Sequence, residues 1–465
     1  MSLVGSPPLS HDTRGGWAGE AGEDFDDVDR KLRLLDLAKW GLCFLVAAVA
    51  LLNTVDLNTG GSETEKKVGL DGVVAIKLLF AAAVSAVGAV SIAVSPRVRA
   101  CLVSPPGFVM TLLGLVFLAT SLLSLAEVRT VCIAAAIIYC VYLVFTVASV
   151  SLLGWSLWTR CLLIGLVVNM LANWAVYLIA PGFATYEEWL PGDTIFRRMG
   201  GLGHPNSIGR IAVMAVLIGL AKFRHENVAI NRGDSLRRVD RGYRTVGQYA
   251  SVLAVAGLVL LSLATIYASY SRTALVAGVA GAAMLWSDRW FSRSVLASVL
   301  LLGAVALLTL GVTGLVTGED IGGDVIGSLT KTGQASELTT ATGRTRIWAK
   351  ATELIAQRPI TGYGLNSAPV LLKDYSLHTH NLLLHVTFSG GVIAGALTLF
   401  LLFWNVVFGL TDSAPMVRAV SGYLIVSGMF EDTVLDTFSG PSTLLWLAVM
   451  MVPTLRSLGD ATDGG

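Results

Sequence analysis

The sequence predicts an all-α integral membrane protein with about twelve transmembrane helices and a large outer loop that contains an amphipathic helix. Of its 465 residues, 54% are hydrophobic and 14% are charged, whereas soluble domains carry about 25% charged residues. The mean hydropathy is +0.69. These values exclude a soluble enzyme, and a disordered chain would be poor in apolar residues. With a formal net charge of +1, the chain has no basic field that would favour nucleic acid as a partner.

Apolar runs define the predicted helices. A spanning helix needs about 20 mostly apolar residues, because the hydrocarbon layer is about 30 Å thick and a helix rises about 1.5 Å per residue. The clear runs are 37–55, 70–94, 107–125, 131–152, 161–180, 249–268 and 295–316. Shorter or less regular runs complete the set at 205–221, 273–286, 381–410, 419–430 and 441–455.

The charge distribution predicts the orientation. Residues 1–36 are polar and acidic without an apolar signal segment, so we expect a disordered cytoplasmic tail. Lys and Arg are more numerous in the loops on that side, as the positive-inside rule requires, and an even number of spans places both termini in the cytoplasm. The first group of helices covers 37–180. A second domain covers 181–455 with outer loops at 181–206 and 317–379, and 456–465 forms a short cytoplasmic tail.

Arginines cluster on the outer side, where the positive-inside rule should deplete them. The segment from Arg197 and Arg198 to His204, Pro205 and Asn206 leads directly into a helix. Proline suits the first helical turn and asparagine caps free N–H groups. Arginine side chains match phosphate oxygens, and a helix N-terminus favours anions. The segment therefore predicts a phosphate site, with a charged interfacial turn as the open alternative.

Two further outer arginines follow along the chain. Ser271 and Arg272 form a tight turn before a short apolar run, where an arginine is either a buried cation or an interface anchor. Arg344 and Trp348 share one face of an amphipathic helix, which we expect to lie along the membrane surface. That face would present a cation beside an aromatic ring to a lipid-linked ligand. A surface helix that binds no ligand is the alternative.

His378, His380 and Asn381 stand before the long apolar run at 381–410. Histidine is the side chain best suited to take a proton near neutral pH. A capping or core histidine is the structural alternative. A metal site is the other alternative, but the nearest added ligands, Asp374 and His385, give no recognised spacing. We therefore predict no metal and no cofactor.

Glu431 and Asp432 end the run at 419–430 on the same outer side. A carboxylate there would orient the arginines or the histidine, and a solvated loop is the alternative.

In order along residues 197–408, these segments resemble the O-antigen ligase and O-antigen polymerase superfamily. Its motifs R-x-x-G-x-x-x-x-P-N, S-R, G-R-x-x-x-W and H-N each have a counterpart here, followed by a small-residue stretch. The matching residues are Arg197, Gly200, Pro205 and Asn206; Ser271 and Arg272; Gly343, Arg344 and Trp348; Pro359, Gly362, Tyr363 and Gly364; His380 and Asn381; and Gly390 and Gly391.

The resemblance implies a multi-pass inner-membrane glycosyltransferase that moves a glycan from a polyprenyl diphosphate to an acceptor hydroxyl or amine on the outer face. It implies that Arg197 and Arg272 hold the diphosphate, that Arg344 contacts phosphate or glycan, and that His380 is the base, with His378 as the alternative. The supporting residues are Arg198, His204, Asn206, Ser271, Trp348, His378, Asn381 and Glu431. The partners are the lipid-linked donor, the bilayer and a glycolipid, glycan or protein acceptor. Ligases, polymerases and protein-glycosylating relatives share the motifs.

A secondary transporter or flippase for a lipid-linked or anionic substrate is the competing interpretation. About twelve spans with a basic loop midway would suit two six-helix halves. However, the halves show no repeat, and transporters place ionisable groups near the bilayer midplane, whereas here they gather at the outer edge.

Overall fold

The chain folds almost entirely into helices, as predicted. A computed structural model describes residues 21–56, 72–190, 194–233, 241–287, 344–431, 435 and 438–459. Helices before the hairpin are α1 Ala21–Leu52, α2 Gly72–Val94, α3 Pro96–Val103, α4 Pro105–Leu122, α5 Arg129–Ile179 and α6 Pro181–Ala184. After it come α7 Pro205–Gly233, α8 Arg241–Ser269, α9 Arg272–Trp286, α10 Arg344–Gln357, α11 Ala368–Leu371, α12 Leu382–Trp404 with a π-helical extension Asn405–Gly409, α13 Pro415–Phe430 and α14 Pro441–Ser457.

Six helical stretches among the described residues are long and apolar enough to cross a membrane. They are Gly72–Val94, Pro105–Leu122, Arg129–Ile179, Pro205–Arg224, Tyr249–Ser269 and Leu382–Gly409. The chain is therefore a multi-pass, all-α membrane protein. Twelve spans are not confirmed, because two predicted spans fall within α5, because α9 and α13 are short apolar helices, and because the run 295–316 lies outside the described residues.

The 51-residue helix α5 contains a break at Gly154. The backbone there has φ 72° and ψ 157°, a conformation that glycine adopts because it lacks a Cβ. The break falls between the two predicted runs 131–152 and 161–180. Each half is about 25 residues long, which suffices to cross a bilayer.

The two predicted segments outside the apolar runs fold as follows. The first helix begins at Ala21, so the last part of the predicted tail 1–36 is helical. The predicted amphipathic helix is α10, and its apolar face packs onto protein side chains, with Ala351 buried in a cluster that includes Tyr363, Leu372 and Phe388. Residues 317–343 of the predicted outer loop 317–379 lie outside the described residues.

A two-stranded antiparallel hairpin lies in the predicted outer loop 181–206, for which the sequence predicts no strand. Its strands are β1 Thr185–Leu190 and β2 Thr194–Met199. The register pairs Glu187 with Arg197 and Tyr186 with Arg198. Because successive side chains of a strand point to opposite faces, the two neighbouring arginines face in opposite directions.

Candidate functional site

A buried carboxylate, Glu431, joins four separate parts of the chain. It follows the last residue of α13 and is 2% exposed. Its Oε1 accepts hydrogen bonds from Asn206 Nδ2 at 3.1 Å, Arg344 Nη2 at 3.2 Å and Thr273 Oγ1 at 3.4 Å. Its Oε2 lies 3.2 Å from His380 Nδ1. The structure thus brings three sequence-predicted residues onto a fourth.

Helix N-termini converge on this carboxylate. Asn206 is the second residue of α7, Thr273 the second of α9 and Arg344 the first of α10, while His380 immediately precedes the capping residue of α12. Each helix N-terminus carries partial positive charge and unpaired N–H groups. The arrangement therefore favours anions near these helix N-termini, in addition to the Glu431 carboxylate.

The electrostatics of Glu431 follow from its neighbours. Burial by itself raises the pKa of the Glu431 carboxyl, but the hydrogen bond and charge of His380, with the charges of Arg210 and Arg344, outweigh it and hold that pKa well below its usual range. Glu431 is therefore ionised at neutral pH. A carboxylate is a hydrogen-bond acceptor with no donor, so the facing Nδ1 of His380 carries a proton.

The His380 ring is held at both nitrogens. Its side chain is 15% exposed, and its backbone has φ 52°, which non-glycine residues seldom adopt. The Ser376 Oγ lies 3.2 Å from Nε2, on the opposite edge of the ring from Glu431. In the neutral ring with Nδ1 protonated, Nε2 is an acceptor, which is the form that a general base requires.

Asn381 and Trp348 fix the segment that carries His380. The Asn381 side chain caps α12 by accepting from Leu384 N at 3.0 Å and donates to Met429 O at 3.1 Å. The Trp348 indole donates to Thr379 O at 2.8 Å. These bonds tie the histidine segment to α13 and α10, so both residues position the site by holding backbone.

The hairpin places the two adjacent arginines in different surroundings. The Arg197 side chain is 71% exposed and pairs with Glu187 at 3.0 Å. The Arg198 side chain is 7% exposed, and it donates to Ser269 O at 2.8 Å, Glu188 Oε2 at 3.0 Å and Asn206 Oδ1 at 2.6 Å. The structure therefore brings Arg198, and not Arg197, to the group around Glu431.

The glycine-rich turn before α7 packs against the protein. Gly201 has φ 53°, and a Cβ there would overlap Asn173 Oδ1. The same Asn173 oxygen accepts from Leu202 N at 2.7 Å. His204 Nδ1 then accepts from Asn206 N at 3.2 Å, and its ring packs edge-on against Tyr186. At Gly201 the close approach of the backbone is therefore to Asn173.

The turn at Ser271 and Arg272 lies beside α7. Ser271 is 2% exposed, and a Cβ at Gly209 would stand 2.5 Å from the Ser271 Cβ. The preceding Tyr270 has φ 49°. Arg272 is the first residue of α9, directly before Thr273, which contacts Glu431. Arg272 is therefore linked to the Glu431 group through its chain neighbour Thr273.

Three residues of the site, Arg210, Thr273 and Ser376, were not predicted from the sequence. Arg210 is buried, donates to Ser207 Oγ at 3.0 Å and acts on Glu431 through its charge. The available signal was an arginine one helical turn after Asn206 inside an apolar run. Thr273 and Ser376 carry no comparable sequence signal.

A metal-type donor set is present within the site. The ring centroids of His378 and His380 are 4.1 Å apart, and one ligand atom from each, with one from Glu431, lie within 4.8 Å of one another. Of the ligands that sequence spacing offered, Asp374 is exposed and His385 is buried in α12; neither belongs to this group. The same carboxylate contacts Arg344, whose charge opposes a cation at that position.

The family comparison covers the central part of this site. Residues 257–399 match a family model described as O-antigen ligase, a stretch that contains Ser271, Arg272, Arg344, Trp348, His378, His380 and Asn381. No curated protein matches the chain. Asn206, Arg210 and Glu431 lie outside the matched stretch, and Glu431 contacts Thr273, Arg344 and His380 within it. Over residues 257–399 the match confirms the resemblance to the O-antigen ligase and polymerase superfamily.

Proposed function

We propose that this protein is a membrane glycosyltransferase that moves a glycan from a polyprenyl diphosphate to the hydroxyl or amine of an acceptor, without a metal. The observation that carries the proposal is the Glu431 carboxylate, which holds a candidate base, His380, and a cation, Arg344, at the meeting point of helix N-termini. Glycosyl transfer from a diphosphate needs those two functions together, a base for the nucleophile and positive charge for the leaving group.

The donor diphosphate would lie against the arginines. Arg272 and Arg344 begin α9 and α10, so each adds a side-chain cation to a helix N-terminus. Of the two hairpin arginines, the contacts of Arg198 with Asn206 support it as the inner residue, and the exposure of Arg197 supports a contact further out on the donor. The developing negative charge on the departing diphosphate is thereby stabilised.

The acceptor would be activated at His380. As the acceptor oxygen bonds to the anomeric carbon, the bond from that carbon to the diphosphate oxygen breaks, and the acceptor proton passes to the imidazole. Glu431 then faces an imidazolium at 3.2 Å and stabilises it, as a carboxylate does beside the histidine of other acid–base pairs. The diphosphate leaves on its lipid carrier.

The proposal also gives the site a location. Placing both termini in the cytoplasm puts the Glu431 group on the outer face of the inner membrane, where a lipid-linked donor and a glycolipid, glycan or protein acceptor would meet.

The proposed reaction uses no metal. Positive charge at the site comes from Arg198, Arg210 and Arg344, so the leaving group needs no divalent cation. A cation bound by His378, His380 and Glu431 would also have to displace Arg344 from the carboxylate.

The test is transfer by the purified full-length protein in detergent. A polyprenyl-diphosphate oligosaccharide is the sole donor, a chelator is present, and a lipid-core glycolipid, a second donor molecule and a peptide are tried separately as acceptors. We expect product with one acceptor and its loss in His380→Ala and Arg272→Ala. Arg346→Ala is the matched control, because Arg346 is exposed on the same helix as Arg344 and should keep wild-type activity.

Each result separates the proposal from its rival. The acceptor that yields product identifies a ligase, a polymerase or a protein-glycosylating enzyme. Full activity in both site variants contradicts the assigned residues. Binding of the donor without product, abolished in Arg272→Ala, favours a carrier of the lipid-linked glycan.

A further inference from the structure

Ser376 occupies the edge of the His380 ring that a general base must use. Its Oγ lies 3.2 Å from Nε2, while Glu431 Oε2 lies 3.2 Å from Nδ1. Ser376 is 8% exposed. Among the residues that the structure describes, both ring nitrogens of His380 therefore already have partners, and an acceptor hydroxyl has to displace Ser376 or act through it.

The hydrogen bonds of this group have a consistent direction. Glu431 requires the proton of the neutral ring on Nδ1, so Nε2 accepts and the Ser376 hydroxyl donates. The Ser376 Oγ itself accepts from His378 N at 3.4 Å. A hydroxyl oxygen has two lone pairs, so one remains for an incoming donor.

Three other buried serines among the described residues use their hydroxyls in local backbone bonds. Ser124, Ser149 and Ser367 each donate to the backbone carbonyl three residues earlier, the local bond that serine commonly makes. Ser376 instead directs its hydrogen at a side-chain nitrogen. The hydrogen bond from His378 N to the Ser376 oxygen is a local turn contact. In that contact the serine oxygen accepts, so the hydroxyl hydrogen is free to point at His380 Nε2.

We propose that Ser376 relays the acceptor proton to His380. The inference rests on the proposed function. In the transfer step the acceptor oxygen bonds to the anomeric carbon and the carbon–diphosphate bond breaks. The acceptor proton moves to Ser376 Oγ, the Ser376 proton moves to His380 Nε2, and the imidazolium is stabilised by Glu431. The serine ends as it began, and the negative charge leaves on the diphosphate.

The experiment measures single-turnover transfer by the full-length protein in mixtures of light and heavy water. A relay moves two protons in one step, so the rate should fall as a curved function of the deuterium fraction. Ser376→Ala should lower the single-turnover rate at least about tenfold, less than the roughly hundredfold or greater contribution of a complete acid–base group, without changing donor binding. Its residual rate should vary linearly with deuterium fraction. Ser376→Thr, which keeps a hydroxyl, should recover most of the rate and the curvature.

Ser367→Ala is the matched control, because Ser367 is a buried serine whose hydroxyl contacts Gly364 O and not the histidine. A linear dependence in the wild-type protein overturns the relay and requires no variant to fold. A wild-type rate in Ser376→Ala also overturns it. If His380→Ala is inactive in that case, the proposed function stands and the relay alone fails; if His380→Ala is active, the base assignment itself fails.

Discussion

The Glu431 carboxylate and the His380 imidazole lie 3.2 Å apart across 51 residues of sequence. One oxygen of the carboxylate holds the ring, and the other contacts Arg344, Asn206 and Thr273. The same side chain therefore determines which ring nitrogen carries the proton. It also holds the first turns of helices α7, α9 and α10 together through hydrogen bonds. Both roles can be tested separately.

Removing the charge of Glu431 while keeping its shape separates its role at His380 from its role in holding the helices. Glu431→Gln retains an oxygen that can accept from His380 but cannot stabilise an imidazolium, so we expect the transfer rate to fall by about tenfold to a hundredfold with the fold intact. Glu431→Ala should in addition lower the unfolding free energy by about 3 kcal/mol, because it leaves the mostly covered Arg344 side chain without its carboxylate partner. Initial rates and thermal unfolding of the two variants measure the difference. Equal rates in wild type and Glu431→Gln would contradict the role in catalysis.

The depressed pKa of Glu431 predicts the direction of its pH dependence. Because the folded pKa lies below the unfolded value of about 4.3, the stabilisation from the ionised carboxylate is fully present above that pH and is lost as the pH falls toward the folded pKa. We expect wild type to exceed Glu431→Gln in thermal midpoint between about pH 5 and 8. The margin should shrink below about pH 4. A margin that grew as the pH fell from about 4 to lower values would show that the carboxyl is protonated in the folded protein.

Alanine variants of the neighbouring residues Arg197 and Arg198 compare an exposed arginine with a buried one. Arg198→Ala removes a buried cation with three hydrogen-bond acceptors, so we expect a loss of about 2 kcal/mol or more in stability and a large loss of transfer. Arg197→Ala removes an exposed ion pair, worth about 0–1 kcal/mol, and should change donor KM more than the rate constant. Steady-state kinetics and thermal unfolding of both variants decide between the two residues. A larger rate loss in Arg197→Ala would place the catalytic contact on the outer face of the hairpin.

The sequence anticipated the parts of this site that depend on helix boundaries. Asn381 was expected before a long apolar run and caps α12, and Arg344 was expected to open an amphipathic helix and does. Helix capping and hydrophobic periodicity depend on residues close together in sequence, so they can be predicted from a single sequence. The inner and outer roles of Arg197 and Arg198 depend on the phase of a strand, and a one-residue shift exchanges the two faces. No local pattern fixes that phase, and none indicates that Ser376 faces His380.

Chelation tests the metal-free proposal against the His378, His380 and Glu431 group. We expect transfer to be unchanged after extended dialysis against a chelator, since arginines supply the positive charge, and we expect His378→Gln to retain most of the activity. Metal content of the dialysed protein is measured alongside the rate. Loss of transfer on chelation, restored by a divalent cation in wild type but not in His378→Gln, would replace the proposed mechanism with a metal-assisted one.

Gly201 tests how strictly the turn before α7 positions Asn206. A side chain there is strained twice, because φ is 53° and because the Cβ would overlap Asn173 Oδ1. The left-handed backbone alone costs about 1–2 kcal/mol for a non-glycine residue. Gly201→Ala should therefore lower the thermal midpoint and displace the turn that delivers Asn206 to Glu431, with reduced transfer as the result. Gly182→Ala is the control, because a Cβ at Gly182 meets no atom within 4 Å. If Gly201→Ala loses stability but transfers at the wild-type rate, the turn holds the fold and Asn206 is not required at Glu431 for catalysis.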